Sequence, residues 1–172
     1  IITIFGVMFF FMFKVLTYET SAPEDYLTDI QIGSATKRWQ AAFELSKLLS
    51  NPEIVPTDEG FKNKMISIYE HSIHDNPMVR TYMALAMGRT GQQEYGPTLM
   101  NGMNDKDKGS RLAAIKALGL LAYAPAVNGI QEFADEKYSN AERLAATIAL
   151  GNMGDKSLIP ILQKLLDDEE PN

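Results

Sequence analysis

A chain of 172 residues that is 45% hydrophobic and 22% charged has the size and composition of one globular domain, so wholesale disorder is excluded. A net charge of −6, a pI of 4.9 and the lack of any basic stripe exclude nucleic acid as the expected partner. Without cysteine there is no disulfide framework, thiolate nucleophile or cysteine metal site.

The chain opens on the apolar run IITIFGVMFFFMF, Ile1 to Phe13, followed by Lys14 and by Val15 to Tyr18. A membrane-spanning helix needs about 20 such residues to cross roughly 30 Å of hydrocarbon. Residues 1–18 are therefore expected to be the C-terminal part of a transmembrane helix, completed by residues ahead of Ile1. Phe9, Phe10, Phe11 and Phe13 would face lipid, Lys14 would snorkel, and Tyr18 would sit at the interface. A core helix is the alternative, but five phenylalanines leave it no polar face. On the visible flank, Val15 to Thr36 carries no Lys or Arg against Glu19, Glu24, Asp25 and Asp29, which favours a periplasmic or extracellular domain.

Residues 19–33 form a juxtamembrane segment. It holds a short helix, Ala22 to Ile32, that starts at the capping pattern Ser21-x-x-Glu24 and stops at Gly33. Tyr26, Leu27, Ile30 and Ile32 give it something to dock.

From residue 34 to 172 the sequence repeats itself. RTYMALAMG (Arg80–Gly88), RLAAIKALG (Arg111–Gly119) and RLAATIALG (Arg143–Gly151) align, each with Ala six, Met or Leu seven and Gly eight residues after its Arg. RWQAAFELS, Arg38 to Ser46, is a degenerate earlier copy with a longer connection over Asn51 to Thr57. The spacing predicts four helix pairs: Ala35–Leu49 with Asp58–Asp75, Pro77–Thr90 with Tyr95–Asn104, Gly109–Leu121 with Pro125–Ala134, and Ala141–Met153 with Lys156–Asp167. Thr57, Asn76, Asn140 and Asp155 are the expected N-caps. Alanines admit a neighbouring helix closely, and the Gly is expected to allow a tight exit from the first helix. No pair can bury its own apolar stripe, so the pairs should stack into an α-solenoid.

VR–AL–G at Val79 to Gly88 and GDKSLIPILQKLL at Gly154 to Leu166 resemble the HEAT-like repeats associated with phycobilisome lyases. The resemblance spans about Ser34 to Asp168. Asn128 departs from it, standing where Pro97 and Pro160 stand in the other copies. It implies an all-α solenoid of about four helix pairs, here preceded by a transmembrane helix. It also implies a cytoplasmic repeat domain, since such arrays occur mostly there, and that outweighs the acidic flank. Function follows less directly, because the fold hosts scaffolds, adaptors and a few enzymes.

Chemistry is sparse. His71 and His74 in EHSIHD are the candidate metal ligands, with Glu70 or Asp75 as a third, but a solvated helix end is the plainer reading and no metal or cofactor is expected. DKDKG at Asp105 to Gly109 lacks the later oxygens of a calcium loop, and GNMGDKS at Gly151 to Ser157 lacks P-loop spacing. Arg80, Arg111 and Arg143 read as structural partners of neighbouring acids such as Asp75, Asp107 and Asp135, and Trp39 reads as core. The chain is expected not to be an enzyme. Its role is expected to be that of a membrane-tethered scaffold or accessory subunit of a membrane complex. Other protein subunits would be gripped through the second helices at Asn101, Asn104, Gln131, Glu132, Gln163 and Lys164, and the acidic balance suggests a neutral or basic partner. A lyase-like or metal-dependent enzyme on a cofactor-bearing protein, or a membrane-bound sensor for a soluble regulator, are the alternatives.

Overall fold

A computed structural model of the chain describes residues 6–10, 12, 22–154, 159, 160 and 163. Among these, eight α-helices run α1 Pro23–Ile32, α2 Ala35–Leu48, α3 Glu59–His71, α4 Pro77–Arg89, α5 Gly96–Gly102, α6 Lys108–Leu120, α7 Val127–Glu132 and α8 Asn140–Met153, and there is no strand. Residues 6–10 and 12 are helical and exposed, and the rest of the expected anchor, including Phe11, Phe13, Lys14 and Tyr18, lies outside the described residues. No described helix is long and apolar enough to cross a membrane. Of the second helix expected at Lys156–Asp167, residues 159, 160 and 163 are described and helical.

The first helices of the pairs, α2, α4, α6 and α8, pack side by side in one layer, and α3, α5 and α7 lie beneath them, an arrangement compatible with a HEAT-type α-solenoid. Helix α1 packs on α2 and touches α3, so it takes the place of a second helix ahead of the first pair. Its Leu27 and Ile30 are fully buried, whereas Ile32, expected to dock with them, is 79% exposed among the described residues.

Each first helix begins three residues before its repeat Arg, with its N-cap four before. At Ser34, Asn76 and Asp107 the capping oxygen accepts from Lys37 N, Met78 N and Ser110 N. At Ser139 the Glu142 carboxylate returns a bond from the Ser139 amide at 3.1 Å, closing a capping box. Two expected caps shift by one residue: Asp58 rather than Thr57 caps α3, and Ser139 rather than Asn140 caps α8. Asp155 and Ser21 lie outside the described residues. At α1 the Asp25 carboxylate accepts from Ala22 N at 2.9 Å, in the role expected of Glu24.

The repeated glycine does not end the helix. Gly88 and Gly119 stay helical and fully inside the layer, and a Cβ at either would come within 2.6 Å of Ala117 Cα or 2.5 Å of Ala149 Cα. The Gly of one repeat thus receives the Ala at position six of the next, which lets adjacent first helices approach to backbone contact. The exit lies three residues further on. Gly91, Ala122 and Gly154, each eleven residues after its Arg, adopt φ of 72°, 48° and 66°. The first repeat has Ser46 in place of the Gly, and Arg89 Nη1 donates there to Ser46 O at 2.5 Å.

The second helices shorten along the chain, from 13 residues in α3 to 7 in α5 and 6 in α7. The helices expected to start at Tyr95 and Pro125 open instead with 3₁₀ turns, Gln93–Tyr95 and Ala124–Ala126. The helix expected to reach Asp75 stops at His71 and tightens into a 3₁₀ turn, Ser72–His74, where Ser72 Oγ donates to Tyr69 O at 2.6 Å.

Candidate functional site

The repeat arginines form a ladder along the N-terminal edge of the first helices. Arg38 Nε donates to Ile30 O at 2.7 Å, and its guanidinium pairs with Asp75. Arg80 Nη1 donates to Ser72 O at 2.7 Å and grips Asp105 with two nitrogens, at 2.6 and 3.3 Å. Arg111 donates to Asp105 O at 2.7 Å and to Glu142 Oε1 at 3.0 Å and 2.5 Å. Each reaches back to the carbonyl that closes the preceding pair and forward to the acid that opens the next. The Arg80–Asp105 pair is bidentate and largely buried, and the three pairs together fix the stacking angle between repeats and keep the guanidinia of Arg38, Arg80 and Arg111 engaged. The partners differ in part from those expected: Asp75 serves Arg38, Asp105 and Glu142 replace Asp107 and Asp135, Asp107 caps α6, and Asp135 accepts from Lys137 N.

Ser139 and Arg111 donate to the Glu142 carboxylate and hold its pKa down to about 2. The Ser110 amide does the same, more gently, for Asp107.

Where α3 ends and α5 begins a new turn, the second layer opens. Helices α3 and α5 make only slight contact, while α4 and α6 above them pack closely. The result is a cleft of about 580 Å³ lined chiefly by Tyr69, His74, Thr98, Asn101, Gly102 and the Arg80–Asp105 pair. Ile73, 64% exposed, and Lys106 stand at its lip. Tyr69 forms its buried wall. Its hydroxyl has no hydrogen-bond partner among the described residues, and burial with the nearby Asp105 pushes its pKa up to about 12, so it keeps its proton. Gly102 makes room for that hydroxyl, since a Cβ there would lie 2.2 Å from Tyr69 Oη.

The structure brings Asn101, Asn104 and His74 together around the cleft. His71 is turned from it: the ring Nδ1 lies 2.7 Å from Ser67 O on its own helix. No group of three His, Asp or Glu suited to a metal occurs among the described residues. Gln131 is half-buried and Glu132 exposed on α7, Gln163 is exposed, and Lys164 lies outside the described residues. Trp39 is half-buried against the core. Sequence reasoning missed Tyr69, Ile73 and Asp105. Only Asp105 left a trace, as an acid just ahead of a repeat Arg.

Residues 64–141 match the family model for HEAT repeats, and residues 142–168 match that for the PBS lyase HEAT-like repeat. No curated protein matches the chain. Together the two matches support a HEAT-like repeat family, which agrees with the layered helix pairs and with the resemblance read from the repeats.

Proposed function

We propose that this HEAT-like repeat chain is a non-catalytic, membrane-tethered scaffold or accessory subunit of a multi-protein membrane complex, gripping a protein partner with its second-helix face. HEAT repeats are commonly protein-interaction scaffolds. The observation that carries the reading is the cleft between α3 and α5, with Tyr69 in its wall and Ile73 bare at its lip. A cleft of that size suits several side chains of an inserted helix or strand, with Asn101 and Asn104 offering amides to the partner backbone around it. Gln131, Glu132, Gln163 and Lys164 extend the contact along the array. The tether reading is supported by the apolar composition of residues 1–18, of which Val7, Met8, Phe9, Phe10 and Met12 are 58–69% exposed. A tether raises the effective concentration of a weak contact without adding to it.

Gentle detergent extraction followed by affinity purification tests the proposal. The wild-type chain should bring down a stoichiometric protein partner, and Ile73→Asp should lose it while keeping the helical circular dichroism spectrum. A lone monomer from wild-type membranes would remove the subunit role. Retention of the partner by Ile73→Asp would move the grip elsewhere.

A further inference from the structure

We infer that the outer face of the first-helix layer docks on an anionic phospholipid bilayer, so that the array lies on the membrane with its cleft turned away. The inference begins with charge. Nine of the sixteen Lys and Arg stand on α2, α4, α6 and α8, against only two of the twenty-two acids, Glu44 and Glu142. Four of the nine, Arg38, Arg80, Arg111 and Arg143, are the repeat arginines, the first three of them paired with Asp75, Asp105 and Glu142, so the outer face itself carries Lys47, Arg89 and Lys116 against Glu44 in a chain that is acidic as a whole.

Helical geometry says which side chains point outward. At 100° per residue, positions five and nine after each repeat Arg fall roughly opposite position seven, which is buried against the second layer as Leu45, Met87, Leu118 and Leu150. Those outward positions hold Phe43 and Lys47 on α2, Leu85 and Arg89 on α4, Lys116 and Leu120 on α6, and Ile148 and Asn152 on α8. Helices α2 and α6 thus each present one exposed apolar residue and one cation a turn apart, whereas on α4 Leu85 is half-buried against the core and Arg89 reaches to Ser46. Phe43, Leu120 and Ile148 are 37%, 49% and 48% exposed, and Leu144 beside them is 45% exposed. Lys47 Nζ sits over the Phe43 ring, 5.2 Å from its centroid. The acid on this face, Glu44, is bridged to Lys47 at 3.0 Å.

Apolar side chains that enter the interface beside cations that meet anionic headgroups are the two contributions to interfacial binding. The charges complement a phosphatidylserine-type surface, while α3, α5 and α7, with Glu59, Glu70 and Glu132 against Lys62 and Lys64, offer it no such complement and face away. The inference rests on the tethered reading only for proximity to a bilayer, and its readout is separate.

Because the chain has no cysteine, one introduced cysteine carries one fluorescent label. The full chain is reconstituted with vesicles of phosphatidylcholine containing about a third phosphatidylserine and a quencher-bearing lipid. A label at Asn152→Cys should be quenched at least about three times as strongly as one at Asn101→Cys, and much less in vesicles of phosphatidylcholine alone. Adding Lys47→Glu with Lys116→Glu should cut the quenching at 152 at least about twofold, with the circular dichroism melt of each variant confirming that it folds. Equal quenching at 101 and 152, or quenching at 152 that ignores phosphatidylserine and charge reversal, would overturn the inference and leave this face to an acidic protein. A label at Phe9→Cys reports the tether separately. Quenching at 9 without 152 defeats the docked face alone, and quenching at 152 without 9 defeats the tether alone.

Discussion

The two layers of the array solve opposite problems. The first helices are nearly uniform, at 14, 13, 13 and 14 residues, and at Gly88 and Gly119 they meet the next helix's Ala too closely to admit a Cβ on the glycine. The second helices shrink, open with 3₁₀ turns and separate enough to leave a cleft. Close packing transmits strain and tolerates little change, whereas a splayed layer can leave a buried group such as Tyr69 Oη without a partner. One layer sets the geometry and the other is free to recognise.

The largest expected break in this contrast comes from the glycines. Gly88→Leu and Gly119→Leu force Ala117 and Ala149 away and should each destabilise by about 3 kcal/mol or more in urea unfolding. Gly151→Ala, which meets nothing within 4 Å, should be neutral or stabilise by up to about 1 kcal/mol. An equal cost at all three sites would refute the contact role.

The ladder comes next. Arg80→Met leaves Asp105 buried without its partner and should cost about 3 kcal/mol, against about 0.5 kcal/mol or less for Lys47→Met, whose ion pair is exposed.

Glu142 ties the ladder to pH. Its folded pKa lies below its unfolded one, so the unfolded chain binds the proton first and stability contributed by the carboxylate is complete above about pH 4.5. It should be lost as pH falls towards 2, by about 3 kcal/mol, and Glu142→Gln should flatten that limb of the stability curve.

The smallest effects sharpen the comparison. Ala122→Gly relieves a positive φ of 48° and should stabilise by about 0.5–1 kcal/mol, while Gly154→Ala should cost a similar amount. Tyr69→Phe, which removes a buried hydroxyl without a partner, should change stability by no more than about 0.5 kcal/mol, although a buried tyrosine hydroxyl is ordinarily costly to lose. These variants are read by the same urea titrations.

The repeat period, the all-helical class, the Arg at the fourth position of each first helix and the buried Ala and Leu after it were legible in the residues, because helical periodicity is local and recurs every turn. So was the second-helix location of Asn101, whereas Asn104 falls in the turn after α5, which ends at Gly102 rather than at Asn104. Tertiary structure alone decided that the repeat Gly serves a neighbouring helix rather than its own end, that Asp105 and not Asp107 completes the ladder, and that Tyr69, Ile73 and Gly102 meet at one cleft. Each of these depends on the distance between helices that are 25 or more residues apart in sequence, and no local pattern encodes that distance.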